Sequence, residues 1–243
     1  MKRTVRVLGT LLVAGGVCLL LWSGIVWRWQ DPFTALYTTY QQHRLAAGFD
    51  QRLGAYTPPL ELKRSAGSAG TAWIAREQRL VAREARRYRK RLRAGDPLGR
   101  LEVPRLHLSI VVVAGTDHDS LTKGPGWYMG SFLPGEGQLI YIAGHRTTYL
   151  APFAAIQSLR TGDTATLQLP YGTFVYRITR HAIVPADDLA QLRSQGREVL
   201  ALQACHPRFF ASHRYIAYAR PLRVLPRGGR PYSIGPRTAA ATT

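Results

Sequence analysis

Cysteine is almost absent. The chain has two, Cys18 inside an apolar N-terminal run and Cys205 far beyond it, so the body of the chain has no disulfide framework. Acidic residues are scarce as well: 14 against 33 lysines and arginines, a net charge of +19. Lysine supplies only Lys2, Lys63, Lys90 and Lys123, so the excess is one of arginine. A Walker-type phosphate loop, a dinucleotide glycine fingerprint, a Cys-x-x-Cys pair and a His-Glu-x-x-His helix are all missing. Their absence argues against the common nucleotide-dependent, thioredoxin-like and zinc-protease chemistries. No metal site and no cofactor is expected. An arginine excess of this size favours an anionic partner, whether nucleic acid, acidic lipid or acidic polymer, and compartment decides among them.

The N-terminus addresses compartment. Lys2, Arg3 and Arg6 precede twenty uncharged residues, Leu8 to Trp27. A helix of that length spans roughly 30 Å, one hydrocarbon core. Trp22 and Trp27 lie toward its far end, as interface anchors do. The alternative is a cleaved signal peptide, but the run is long and Trp22-Ser-Gly-Ile is a poor cleavage site. The expectation is a single-pass anchor with residues 1–28 as cytoplasmic tip and span, and everything after it outside the cell. Nucleic acid is then disfavoured as a partner.

Residues 29–96 read as a membrane-proximal stalk. Asp31 to Phe49 has an acidic cap, a following proline and Phe33, Leu36, Tyr37 and Tyr40 at helical spacing. Gln51 to Gly70, with Pro58-Pro59 and a Ser-Ala-Gly repeat, has linker composition. Thr71 to Ala94 predicts a helix with sparse apolar points at Trp73, Leu80 and Val81 and nine basic residues after Ala75. It reads as a solvated stalk, or as an attachment to anionic lipid or wall polymer.

From Asp96 the texture changes. Short apolar runs alternate with turn residues at strand spacing, which predicts a mainly β domain over 97–226, closed as a barrel. Ala151–Leu159 and Ala186–Arg193 read as short helices between strands. Residues 227–243 show no apolar periodicity and read as a disordered tail.

Within this domain Val199 to Val224 carries the most information. A buried strand ends at Cys205, Pro207 breaks it, and a second strand begins near Arg214. Cys205 thus sits at a strand mouth, held by a scaffold yet reachable. On spacing alone it is either an inert buried thiol, the ordinary case, or a nucleophile. A nucleophile needs a proton carrier and an oxyanion donor. His206 is adjacent, but neighbouring side chains on extended backbone point apart. His145, which follows an apolar strand and Gly144, remains open along with His107 and His181.

The segments Ile142-Ala-Gly-His-Arg-Thr-Thr-Tyr-Leu-Ala-Pro-Phe153, Ala204-Cys-His-Pro207 and Ser212-His-Arg-Tyr215 resemble the sortase family of cysteine transpeptidases. The resemblance runs from about Leu101 to Val224 and is nearest the class E type of Gram-positive bacteria. It implies an eight-stranded β-barrel with His145, Cys205 and Arg214 as catalytic residues. Tyr128, Thr147 and Ala204 are implied on the substrate side. Many sortases carry threonine before the cysteine, where this chain has Ala204, and the calcium-binding acidic loop of some members is not recognisable. The implied substrates are secreted proteins with a C-terminal Leu-Pro-x-Thr-Gly or Leu-Ala-x-Thr-Gly signal. The implied acceptor is an amine of a lipid-linked peptidoglycan precursor or of a pilin. A noncatalytic wall-binding barrel and a cysteine hydrolase are the rival readings.

Overall fold

The computed structural model describes residues 2–28, 32–65 and 72–234. Helix α1 (Lys2–Arg28) contains Arg3–Gly24, long and apolar enough to cross a membrane. Helices α2 (Pro32–Ala55), α3 (Leu60–Ser65) and α4 (Ala72–Arg89) follow. The strands are β1 (Pro97–Val103), β2 (Leu108–Ala114), β3 (Gly126–Trp127), β4 (Leu139–Gly144), β5 (Thr164–Leu169), β6 (Gly172–Pro185), β7 (Val199–His206), β8 (His213–Pro226) and β9 (Tyr232–Ser233). A one-turn helix α5 (His118–Leu121) lies between β2 and β3.

Pairing runs β6-β5-β1-β2-β3-β4-β7-β8, and β8 returns to β6 along its whole length, from Gly172↔Pro226 to Pro185↔His213. Eight strands therefore close on themselves, which removes the exposed sheet edges. The other edge of β8 carries β7 over its first half and β9 near its end. Period-2 alternation sorts the side chains. Ile140 and Ile142 of β4, Leu200, Leu202 and Ala204 of β7, and Ala217 and Ala219 of β8 fill the barrel. Their neighbours Leu139, Tyr141, Ala201, Ile216 and Tyr218 form a second apolar cluster on the outer face.

The presumed stalk is docked on the barrel. Phe49 and Leu45 of α2 pack on Val111 and Val113, the outward residues of β2. Gln42 donates to the carbonyls of Val111 (3.0 Å) and Lys123 (2.7 Å) and accepts from Val111 N–H (2.9 Å). Burying the two apolar side chains contributes ~1.5–3 kcal/mol each, whereas the part-exposed pair Arg52–Asp96 adds ~0–1 kcal/mol. Burial therefore dominates the docking. In α4, Val81, Ala85 and Tyr88 recur at spacings of four and three. That face joins the barrel core, while Arg86 and Arg87 point to water. The expected solvated helix is instead a lid on the barrel, tied by Arg89 to buried Glu136 (2.9 Å).

Three further expectations change. Ala151–Leu159 holds only a 3-10 turn, Ile156–Ser158, and Ala186–Arg193 only Leu189–Leu192. The start of the expected tail is structured: Arg227 N–H bonds the Tyr171 carbonyl (2.9 Å), and Tyr232 of β9 is buried against Trp73. A two-residue strand is too short to leave a periodic signal. Residues 235–243 lie outside the described residues, as do residues 66–71, which hold the Ser-Ala-Gly repeat after its first serine, and Trp29 to Asp31.

Candidate active site

Strand register assembles the site. In the parallel β4–β7 pair the last partners are Gly144 and Ala204, so the next residues, His145 and Cys205, emerge side by side. In the antiparallel β7–β8 pair Cys205 and Arg214 are direct partners, which sets their Cα atoms about 4.5–5.5 Å apart. Ala204 faces the barrel, so Cys205 faces out, on the side of Ile216 and Tyr218. All three side chains line one groove of about 320 Å³. Tyr128 and Tyr141 line it as well, and Val184, Leu189 and Leu192 of the β6 end and the β6–β7 connection supply an apolar wall.

The environment of each group differs. Cys205 is half-buried and free. Arg214 donates through Nη1 to the carbonyls of Ala211 (2.7 Å) and His213 (3.1 Å), which orients the guanidinium and, among the described residues, leaves Nη2 and Nε without a protein partner. Burial, and secondarily the charge of His118, hold the His145 imidazole below its ordinary value. Its Nε2 is buried without a hydrogen-bond partner among the described residues. Its ring lies 5.0 Å from that of Tyr149, which in turn meets His118 edge-on at 6.5 Å.

The loop after β4 holds His145 in place. Tyr149, Leu150 and Ala151 all have positive φ and turn the chain back, so that Phe153 N–H bonds the His145 carbonyl (3.1 Å). Gly144 is required by space: a Cβ there would meet the buried Phe153 ring at 2.6 Å.

The register separates the candidate histidines. Among His107, His145 and His181, only His145 lines the groove with Cys205. His107 ends a 3-10 turn beside β2. His181 packs on the Tyr215 ring. His206 turns from the thiol, and its Nδ1 sits 3.0 Å from Arg146. Of the substrate-side residues, Tyr128 lies in the groove. Ala204 is fully buried in the barrel core, and half-buried Thr147 is not among the groove's lining residues.

Arg146 was missed from sequence. It is 6% exposed, has no carboxylate partner among the described residues, and donates to the Cys205 carbonyl (3.1 Å) and to Gln157 Oε1 (2.8 Å). Burial and nearby Arg208 hold its pKa below the usual guanidinium range. It clamps the backbone of Cys205 to the loop that carries His145. Its one available signal was a charged residue directly after that histidine.

A thiol, an imidazole and a fixed guanidinium in one groove can carry out attack on a carbonyl, proton transfer and oxyanion stabilisation. Among the described residues no group of three or more His, Cys, Asp or Glu is placed to hold a metal ion.

The Sortase domain family matches residues 101–222. Sortase D of Bacillus subtilis (strain 168) is 38% identical over 130 residues, 52% of this chain and 64% of that relative, so the chain spans under two thirds of its length. Sortase E1 from Streptomyces coelicolor, solved with a tripeptide in the active site, aligns with a TM-score of 0.51 and 22% identity, covering 55% of this chain and 92% of its own. Sortase C of Clostridium perfringens, solved with the C-terminal cell wall sorting motif, aligns with a TM-score of 0.52 and 20% identity, covering 65% and 94%. The likeness to the two solved structures is one of fold, and the relatives carry class C, D and E names alike. The matched segment is half of this chain and contains His145, Cys205 and Arg214, and the chain belongs to the sortase family.

Proposed function

We propose that this chain is a membrane-anchored cysteine transpeptidase that cleaves a sorting signal between Thr and Gly and passes the acyl group to an amine. The convergence of Cys205, His145 and Arg214 in one groove carries this reading. The tripeptide and the sorting motif named for two sortase structures support a peptide occupant. The Cys205 thiolate adds to the threonine carbonyl, and Arg214 meets the oxyanion. As the intermediate collapses, the C–N bond breaks and His145 gives its proton to the departing glycine amine, leaving a thioester on Cys205. An incoming amine, with His145 now accepting its proton, expels the thiolate and forms a new amide. The acceptor is an amine of a wall precursor or of a pilin. The apolar span Arg3–Gly24, with Lys2, Arg3 and Arg6 at its start, supports an anchor whose N-terminus lies inside and whose catalytic domain works on the outer face of the membrane.

The test is product analysis with a Leu-Pro-x-Thr-Gly peptide, with and without added amine. Amide product that grows with amine concentration is expected. Release of the free threonine acid alone at every amine concentration would make the enzyme a hydrolase.

Two predictions arise here. Tyr128 lines the groove, and in class E resemblance it is the tyrosine associated with Leu-Ala-x-Thr-Gly signals. The Ala peptide is expected to react faster than the Pro peptide in paired assays. Equal or reversed rates would contradict the assignment.

The second concerns pH. Because the His145 imidazole is held below its ordinary value, its protonated form is scarce near neutrality. The active pair is therefore a minority species, and the acid limb of kcat/KM lies below the usual imidazole range. His118, when charged, disfavours a proton on His145. Replacing it, as His118→Asn, removes that repulsion and raises the His145 pKa, so the acid limb moves to higher pH. A limb that stays or moves down would exclude the coupling.

A further inference from the structure

On the outer face of β6 and β8, beyond the apolar wall of the groove, positive charge is left uncompensated. A cavity of about 330 Å³ is lined by Arg180, Arg193, Arg197 and Arg220, and no carboxylate lines it. It shares Thr179, Arg197 and Arg220 with an adjoining cavity under α4 that adds Arg79 and Arg177. The two acids there are committed elsewhere. Glu136 is paired with Arg89, and Glu198 accepts from the Tyr176 hydroxyl (2.8 Å) and from the N–H groups of Gly135 (3.0 Å) and Gly137 (3.1 Å). Among the described residues, the ion pairs of this protein use other arginines. Among the described residues no carboxylate lines the cavity, so its four arginines repel one another; Asp188, which accepts from Gln191 (3.0 Å), lies on the side of the Cys205 groove.

Their arrangement is selective in shape. They come from β6, from two points of the β6–β7 connection and from β8, so the four guanidinium groups reach the cavity from separate segments. Arg180 is stacked 3.7 Å from the centre of the Tyr218 ring, and Arg197 is steadied by Gln195 (3.1 Å). A planar carboxylate engages one fork, whereas tetrahedral, multiply charged phosphate groups engage several at once. No lysine lines the cavity, and its volume admits more than one phosphate. Gln191 lines both the cavity and the groove of Cys205. A ligand here would press on the back of the connection that walls the groove, with Tyr218 four residues, ~13 Å, along β8 from Arg214.

We propose that this cavity is a binding site for a diphosphate or phosphodiester group, beyond the acyl-transfer reading and independent of it. The test titrates inorganic pyrophosphate into the full chain in neutral detergent, followed calorimetrically. Saturable binding is expected in the wild type and in Cys205→Ala. It should weaken tenfold or more in the double variant Arg180→Gln/Arg220→Gln. Should that variant fail to fold, Arg193→Gln/Arg197→Gln on the exposed connection serves in its place. Arg86→Gln/Arg91→Gln removes equal charge from the helical lid region and should leave binding within twofold. Soluble short-chain phosphatidylglycerol identifies the source: displacement of pyrophosphate assigns a lipid headgroup, and no displacement assigns a diphosphate carrier. No saturable pyrophosphate binding, or equal losses in the cavity and control variants, would overturn the proposal.

Discussion

Arg214→Lys is expected to fold normally and to lose about two or more orders of magnitude in turnover, the cost of removing one oxyanion donor. The substitution keeps the positive charge, so charge alone is not what it tests. Arg214 is the direct cross-strand partner of Cys205. Its Nη1 is held by the carbonyls of Ala211 and His213, which leaves the rest of the fork free for the groove. An ammonium has all its donors on one nitrogen, so if it sits where Nη1 keeps those two bonds it cannot also stand at the Nη2 and Nε positions. Folding should survive because Arg214 is half-buried at the mouth of β8 and forms no ion pair among the described residues. Arg223→Lys, on the far half of the same strand, should leave turnover unchanged. Steady-state kinetics of the three proteins provide the check, and comparable turnover in wild type and Arg214→Lys would remove the arginine from the mechanism.

Cys205→Ala is expected to have no measurable turnover, a larger effect than the arginine substitution. No other thiol can substitute: Cys18 lies within the apolar span. The side chain is half-buried and unpaired, and its neighbour Ala204 fills the core, so the barrel should melt as the wild type does. Loss of activity together with loss of the folded circular dichroism signal would instead make Cys205 a structural residue. Rapid alkylation of Cys205 in the folded wild type is the companion observation, because a core thiol would not react.

The sequence made some of this legible and concealed the rest for identifiable reasons. Period-2 alternation after Arg214 sets it on one face with Ile216 and Tyr218, the outer face of the barrel on which the groove opens. Three histidines stayed open because strand mouths look alike in sequence. Only the parallel pairing of β4 with β7, a contact between segments some sixty residues apart, sets His145 beside Cys205. The basic helix read as a solvated stalk because arginine dominates its composition, while Val81, Ala85 and Tyr88 make a face too narrow to stand out. Arg146 was hidden for the opposite reason: one buried arginine among many exposed ones has no local mark, and its partners Cys205 and Gln157 lie on other segments.

The most direct test of the central claim is intact mass measurement of the enzyme mixed with a sorting-signal peptide and quenched in acid. Expected is a covalent adduct of the peptide's acyl fragment, ending in threonine and lacking the glycine side, mapped to Cys205 and discharged by added amine. Accumulation of cleaved peptide with no adduct at any time, or an adduct that persists in Cys205→Ala, would contradict a Cys205 thioester.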